Sequence, residues 1–278
     1  MKVCVLGLGN MGLPVAINLA RAGHDVTGAN IAPVPAASEA GVAVSTDATE
    51  ALRDREVVFC LLPDLPYLEP MLPALLDGGA ADLVVMSTIS PSAVRGLAER
   101  LDGQVNVMDA CMSGGVAKAE DGSMSIMCGA DEAMFERVRP LLDVIGGTVE
   151  LMGSVGAGAV TKACNQMVVA GTLVALAEAT LVAKDNGLDA HHVLQVLGAG
   201  LAASELLDQK AAKLADEDFS PSGPAKFLVK DLTFATDSAG GRDLPSLQVS
   251  LDLFTGLTEA GLGDDDNSVV LQYLRQIS

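Results

Sequence analysis

The sequence contains no tryptophan, and only two tyrosines and six phenylalanines among its 278 residues. Any core must therefore be filled by aliphatic side chains and methionine, packed in layers of helix and sheet. Basic residues are also scarce: 17 Lys and Arg stand against 36 Asp and Glu, a formal charge of −19. The imbalance is even along the chain, −10 over residues 1–162 (10 basic, 20 acidic) and −9 over residues 163–278 (7 basic, 16 acidic). Such a surface repels phosphate backbones and anionic lipid, so neither nucleic acid nor a membrane surface is expected as a partner. An anionic ligand has to be held by local donors working against the overall field. Three histidines, His24, His191 and His192, have no ligand-like neighbours in sequence, and no metal site is expected. None of the five cysteines (Cys4, Cys60, Cys111, Cys128, Cys164) forms a C-x-x-C pair; they read as reduced, small hydrophobes of a cytoplasmic protein. Low-complexity tracts and solenoid-period repeats are absent. The apolar run at the amino terminus lasts only about five residues, too short for the core of a signal peptide. The longest apolar window, residues 167–183, contains Glu178 and is flanked by Asn165, Gln166 and Lys184. It reads as a buried helix rather than a membrane span.

What is present is a chain that is 50% apolar and long enough for one large or two modest domains. Short apolar runs occur at 3–7, 25–30, 57–62, 83–88, 105–110 and 123–129. Segments with helical periodicity lie between several of them, at 11–22, 91–101 and 131–143. That alternation predicts a parallel, doubly wound sheet covered on both faces. Beyond about residue 155 the pattern is helical only: a long helix from near Gly158 to Asn186, then segments at 189–198, 203–215, 226–240, 245–261 and 266–277. The expected class is α/β, a Rossmann-type domain over residues 1–160 followed by an all-helical domain over 161–278. A long helix that is apolar all round needs cover on more than one side, which predicts a homodimer or homotetramer built on the second domain.

The run Gly7-Leu8-Gly9-Asn10-Met11-Gly12 follows the first strand and opens a helix. It fits G-x-G-x-x-G. Gly7 allows the turn, Gly9 lets a pyrophosphate approach the backbone, Gly12 packs helix on strand, and the helix end supplies positive potential. The alternative is a glycine turn with no ligand. About 20 residues on, where an acid selects NAD and a nearby arginine NADP, stand Asn30 and Ile31. Asn30 can hydrogen-bond either ribose. With no cation to neutralise a 2′-phosphate, the preference expected is NAD over NADP.

Six stretches in register resemble the β-hydroxyacid dehydrogenases, the family of 3-hydroxyisobutyrate dehydrogenases and tartronate semialdehyde reductases. They are "GLGNMGLPVAINLARAGHDV", "LLPD" (61–64), "STISP" (87–91), the segment from Asp109 to Gly129, "GAGAVTKACNQ" (156–166), and "KDL" (230–232) with "GLGDDDNS" (261–268). The resemblance covers nearly the whole chain. It implies hydride transfer between a nicotinamide and a small 3-hydroxy acid or its semialdehyde. Lys162 and Asn165, three residues apart on one helix, share a face. Reduction of a carbonyl leaves an alkoxide that needs a proton, which a lysine can donate and later take back. The resemblance assigns that role to Lys162, with Asn165 beside it. Ser113, Gly114 and Gly115 offer a hydroxyl and exposed N–H groups suited to a carboxylate, and the family holds its substrate carboxylate there. By resemblance alone, Leu62, Pro63 and Thr88 line the cofactor and Lys230 reaches the cleft. Ser90 before Pro91 reads as a helix cap. Asp109 reads as the close of a strand and Asp231 as structural. Asp264, Asp265 and Asp266 read as a helix start, not a metal cluster.

The chain departs from the family at "DACMSGG", where Pro and Val become Cys111 and Met112, and at Gly223-Pro224, where a phenylalanine is usual. The segments "ANIAPV" and "KACNQ" resemble tartronate semialdehyde reductases. The expected reaction is reduction of tartronate semialdehyde to glycerate; the alternatives are a 3-hydroxyisobutyrate dehydrogenase, a succinic semialdehyde reductase, an imine reductase, or a non-catalytic NAD(P)-binding scaffold. Lys162 argues against the last two.

Overall fold

Val3 and Val5 face one hydrophobic core while Cys4 and Leu6 face another, so the first strand is covered on both sides, as its unbroken apolar run requires. The computed structural model describes residues 1–278, in two units, Met1–Lys162 and Ala163–Ser278. The first unit runs β1 (Lys2–Leu6), α1 (Gly12–Arg21), β2 (Asp25–Ala29), α2 (Pro35–Glu39), β3 (Ala43–Ser45), α3 (Ala48–Leu52), β4 (Val57–Cys60), α4 (Leu65–Leu68), α5 (Leu72–Asp77), β5 (Asp82–Val85), α6 (Pro91–Leu101), β6 (Asn106–Ser113), α7 (Gly115–Asp121), β7 (Met124–Gly129), α8 (Glu132–Ile145) and β8 (Gly146–Gly153). Helix α9 (Ala157–Asp185) begins in this unit and continues into the second, followed by α10 (Ala190–Gly198), α11 (Glu205–Asp216), α12 (Lys226–Ser238), α13 (Pro245–Leu257) and α14 (Val270–Ile277).

The sheet order is β3-β2-β1-β4-β5-β6-β7-β8. Chain order reverses between β1 and β4, which opens a crevice at their carboxyl ends, the usual ligand position in a doubly wound sheet. The sheet is parallel as expected except at one pair: β7 runs antiparallel to β6, with Ser113 opposite Ser125. Distance explains it. Eight residues of β6 span about 26 Å, whereas the connection 114–123 holds only the seven-residue α7, about 10 Å long. The chain cannot return to the far end, so β7 starts where β6 stops. The 14-residue α8 is long enough to return, and β8 is parallel to β7. Strands β3 and β8 lie outside the apolar runs of the sequence. One has three residues, and the other is a half-exposed edge strand with glycine at both ends.

The second unit has its own aliphatic core, built from Leu173, Leu194, Leu214, Leu232, Phe254 and Leu271 among others. Helix α9 is long and apolar enough to cross a membrane by length and composition. Its Ala170, Leu173 and Ala177 are fully buried in this core, while Val168 and Val182 are exposed. The stretch expected to be helical through 261 ends at Leu257 and passes into a π-type turn in which Gly261 takes a left-handed φ of 84°. None of the five cysteines forms a disulfide, and burial pushes the Cys4 and Cys128 thiols up to about 12, so both are packing groups.

Two carboxylates tie the second unit together. Asp266 caps the 3-10 turn that leads into α14 and accepts from the buried Lys210 ammonium at 2.7 and 2.8 Å. Burial pulls its pKa upward, but Lys210 and the Ser222 and Ser268 donors outweigh burial and hold it at about 2. Glu217 accepts from Arg275 and Lys184, which bring it to about 2 as well. Both groups bind protons more weakly folded than unfolded. Their stabilisation is present above the unfolded values near 4 and is lost as pH falls toward 2. The melting temperature is expected to drop steeply between pH 4.5 and 2, with Asp266 contributing about 2 kcal/mol. Asp266→Asn should melt lower at pH 7 and show a shallower acid slope. An unchanged slope would remove Asp266 from this account.

Candidate active site

Four chain segments meet at the carboxyl ends of the central strands. Gly7 follows β1 with φ of 91°, and its N–H donates to Ala29 O at 2.9 Å. A Cβ at Gly12 would stand 1.8 Å from Gly7 O, so the loop closes only if residue 12 is glycine. At Gly9 nothing lies within 4 Å of a would-be Cβ. The start of α1 has no side-chain cap and no acid in its first turn. Uncapped N–H groups, a cleared backbone and no competing carboxylate fit a pyrophosphate. Asn10 is exposed, and Met11 packs half-buried against the core.

Asn30 is committed to shaping this loop. Its Oδ1 accepts from the Leu8 N–H at 3.3 Å and its Nδ2 donates to Ala32 O. Leu8 lies over Gly28, where a Cβ would be 2.7 Å from its side chain. Ile31 is fully exposed. After β4, Leu61 N–H donates to Leu6 O, and Leu62 O accepts from Ser87 Oγ at 2.6 Å. That bond joins the Leu62-Pro63 segment to the Ser87-Thr88 segment after β5, where Thr88 is half-buried. Ser90 caps α6 through the Ala93 N–H, with Pro91 in the first turn.

Ser113 ends β6, and Gly114 and Gly115 follow with φ of 136° and 78°. The Lys118 stem occupies the space a Cβ at Gly114 would need. Just before this turn, Cys111 is fully buried in one core and the half-buried Met112 packs against another. Gly223 and Pro224 are fastened to Asp266, by the Gly223 N–H and by a bridge from Pro224.

Asp109, which reads in sequence only as the close of a strand, reaches across to the start of α9. It lies on β6 with 1% of its surface exposed. Its two oxygens accept from the Gly156 and Ala159 N–H groups, each at 2.6 Å. It thus caps the start of α9 from another element. A Cβ at Gly129 or Gly158 would fall 2.3 or 2.8 Å from those oxygens, so both glycines make room for the carboxylate. Burial raises its pKa against the pull of the two N–H groups. The signal was legible only as an acid inside a buried run and two glycines 20 and 49 positions later. One turn beyond Ala159 stands Lys162, buried, and one turn further Asn165, half-buried. Asn165 Nδ2 donates to Gln166 Oε1 at 2.9 Å, and Gln166 Nε2 donates to Asp231 Oδ2 at 2.6 Å. Lys230 is half-buried on α12, next to the buried Asp231.

Residues 2–153 match the family described as the NAD binding domain of 6-phosphogluconate dehydrogenase. Residues 156–274 match the NAD-binding domain of NADP-dependent 3-hydroxyisobutyrate dehydrogenase. Over 290 aligned residues the chain is 36% identical to the 2-hydroxy-3-oxopropionate reductase of Escherichia coli K12, covering 99% of this chain and 97% of the relative. The chain belongs to the β-hydroxyacid dehydrogenase family. It is accordingly an NAD(P)-dependent oxidoreductase of the 3-hydroxyacid type. The solved 3-hydroxyisobutyrate dehydrogenase of Mycobacterium tuberculosis, obtained with L-serine, superimposes with a TM-score of 0.87 at 31% identity, covering 99% of both chains. That of Salmonella typhimurium gives 0.89 at 27%, covering 97% of this chain and 98% of the other. Members of this family use NAD(P), and the uncapped α1 terminus and glycine loop described above fit that cofactor.

Proposed function

We propose that this dehydrogenase reduces the aldehyde of a three-carbon 2-hydroxy-3-oxo acid, tartronate semialdehyde, to glycerate. The buried Lys162, on a helix pinned at its start by Asp109, carries the reading. The bound nicotinamide supplies the hydride. Lys162 donates the proton that the new alkoxide needs, and takes it back in alcohol oxidation. Asn165 keeps the reacting oxygen and the ammonium in register. Ser113, Gly114 and Gly115 hold the substrate carboxylate, which orients the aldehyde carbon. Residues 7, 9–12, 62, 63 and 88 line the cofactor, with Asn30 under its adenosine end and Lys230 adding positive charge to an acidic protein. The three-carbon substrate is favoured by the 36% identity to the 2-hydroxy-3-oxopropionate reductase. The L-serine in the mycobacterial relative is also a three-carbon acid with a 3-hydroxyl.

NAD is the proposed preference, because neither Asn30 nor the exposed Ile31 offers a cation to a 2′-phosphate. Initial rates with NADH and NADPH against tartronate, methylmalonate and succinate semialdehydes test both points. The three-carbon substrate with NADH is expected to give the highest kcat/KM. Faster turnover of succinate semialdehyde, or of NADPH, overturns the corresponding half. The exposed Val168 and Val182 of α9 support a homodimer or homotetramer, to be checked by sedimentation. The five cysteines, none of them in a disulfide, support a cytoplasmic setting, to be checked by cell fractionation.

A further inference from the structure

The chain Asp231–Gln166–Asn165 carries more information than two hydrogen bonds of ordinary packing. A carboxylate can only accept. Asp231 Oδ2 therefore requires the NH2 of Gln166, which stands 2.6 Å away. With that end committed, Gln166 turns its carbonyl oxygen toward Asn165. Only the NH2 of Asn165 can meet it, at 2.9 Å. Asn165 Oδ1 is then directed away from Gln166. Carboxamide orientation is normally ambiguous because O and N are alike in shape. Here one buried acid, 6% exposed, removes the ambiguity from two amides in succession.

We propose that Asp231, acting through Gln166, sets the hydrogen-bond polarity of Asn165, so that Asn165 meets the reacting groups as an acceptor. This rests on the reading of Asn165 as a site residue. An acceptor in that place suits what surrounds the chemistry. The Lys162 ammonium on the same helix is a donor only, and the alcohol form of the substrate carries an O–H. An Asn165 turned the other way would offer an NH2, a second donor, to the donor-only ammonium. Asp231 and Gln166 are thus positioning residues, two hydrogen bonds and one hydrogen bond from Asn165 respectively.

The test exploits the fact that polarity can be inverted and then restored. In Asp231→Asn the new amide can offer its own NH2 to Gln166, which lets both following amides reverse. In the double variant Asp231→Asn/Gln166→Glu the central group accepts from both sides, so Asn165 must again donate inward and turn its oxygen outward. The double variant also restores the original net charge. With tartronate semialdehyde and NADH, Asp231→Asn is expected to lose about tenfold in kcat with little change in KM, the size of one misdirected hydrogen bond. The double variant should recover to within about threefold of wild type. Gln166→Leu, which removes both bonds and adds no charge, should resemble Asp231→Asn; it stands in for that variant if thermal melting shows Asp231→Asn to be unfolded. Asn165→Ala is measured alongside. If Asn165→Ala turns over like wild type, the site reading fails and this inference with it. If Asn165→Ala is slow but Asp231→Asn is not, or the double variant recovers nothing, the polarity inference alone is overturned.

Discussion

Lys162→Ala is expected to lower kcat by about 10³-fold, the range lost when a positioned general acid is removed. The binding of NADH should be unchanged, because the glycine loop, the Leu62-Pro63 segment and Thr88 sit on other elements. Two features make the expectation sharp. Lys162 is 9% exposed, a degree of burial unusual for a lysine without a purpose. Its helix is held by its first turn, so the side chain starts from a fixed backbone. Single-turnover reduction followed at 340 nm separates the effects. A slow chemical step with normal cofactor affinity supports the assignment, and partial recovery with added small primary amines would strengthen it. A variant within tenfold of wild type in kcat would remove Lys162 from the mechanism, and with it the proton path proposed here.

Asp109→Ala is expected to cost both stability and rate. The substitution leaves the Gly156 and Ala159 N–H groups buried with no acceptor, and each such group costs about 1–3 kcal/mol. Part of this is offset, since a carboxyl whose pKa burial raises is itself held at some cost. A net loss of about 2–4 kcal/mol is the expected result, read by urea unfolding. Asp109→Asn keeps one oxygen and should lose roughly half as much. The pH sign also differs from that of Asp266 and Glu217. An acid with a raised folded pKa binds protons more readily folded than unfolded, so its contribution improves as pH falls. In folded Asp109→Ala, kcat should fall more than KM rises, because the Lys162 turn is what loosens. A variant as stable and as fast as wild type would show that the cap does nothing for the helix.

The legible part of this protein was local. Glycine spacing marked the turn at Gly7 and the close approach at Gly12, because those demands act on a few consecutive residues. Unbroken apolar runs marked the central strands. Serine before proline marked the cap of α6, and the all-round apolar stretch marked α9. Strands β3 and β8 carried no such mark, since an edge strand buries too little to impose a pattern. Cys111 and Met112 illustrate the same limit from the other side: neighbours in sequence to the Ser113 turn, they point into cores on opposite faces of the sheet, as alternation along a strand demands.

Composition and short-range pattern were enough for the layered α/β first part and the helical second part, because hydrophobic period and glycine geometry are properties of adjacent residues; the family chemistry came from the resemblance of six motifs in register. The antiparallel course of β7, the capping of α9 by Asp109 and the link from Asp231 to Asn165 were settled only by the folded chain. Each joins groups 47 to 66 positions apart or depends on whether a connection can span a strand, and those are distances that exist only once the layers have closed.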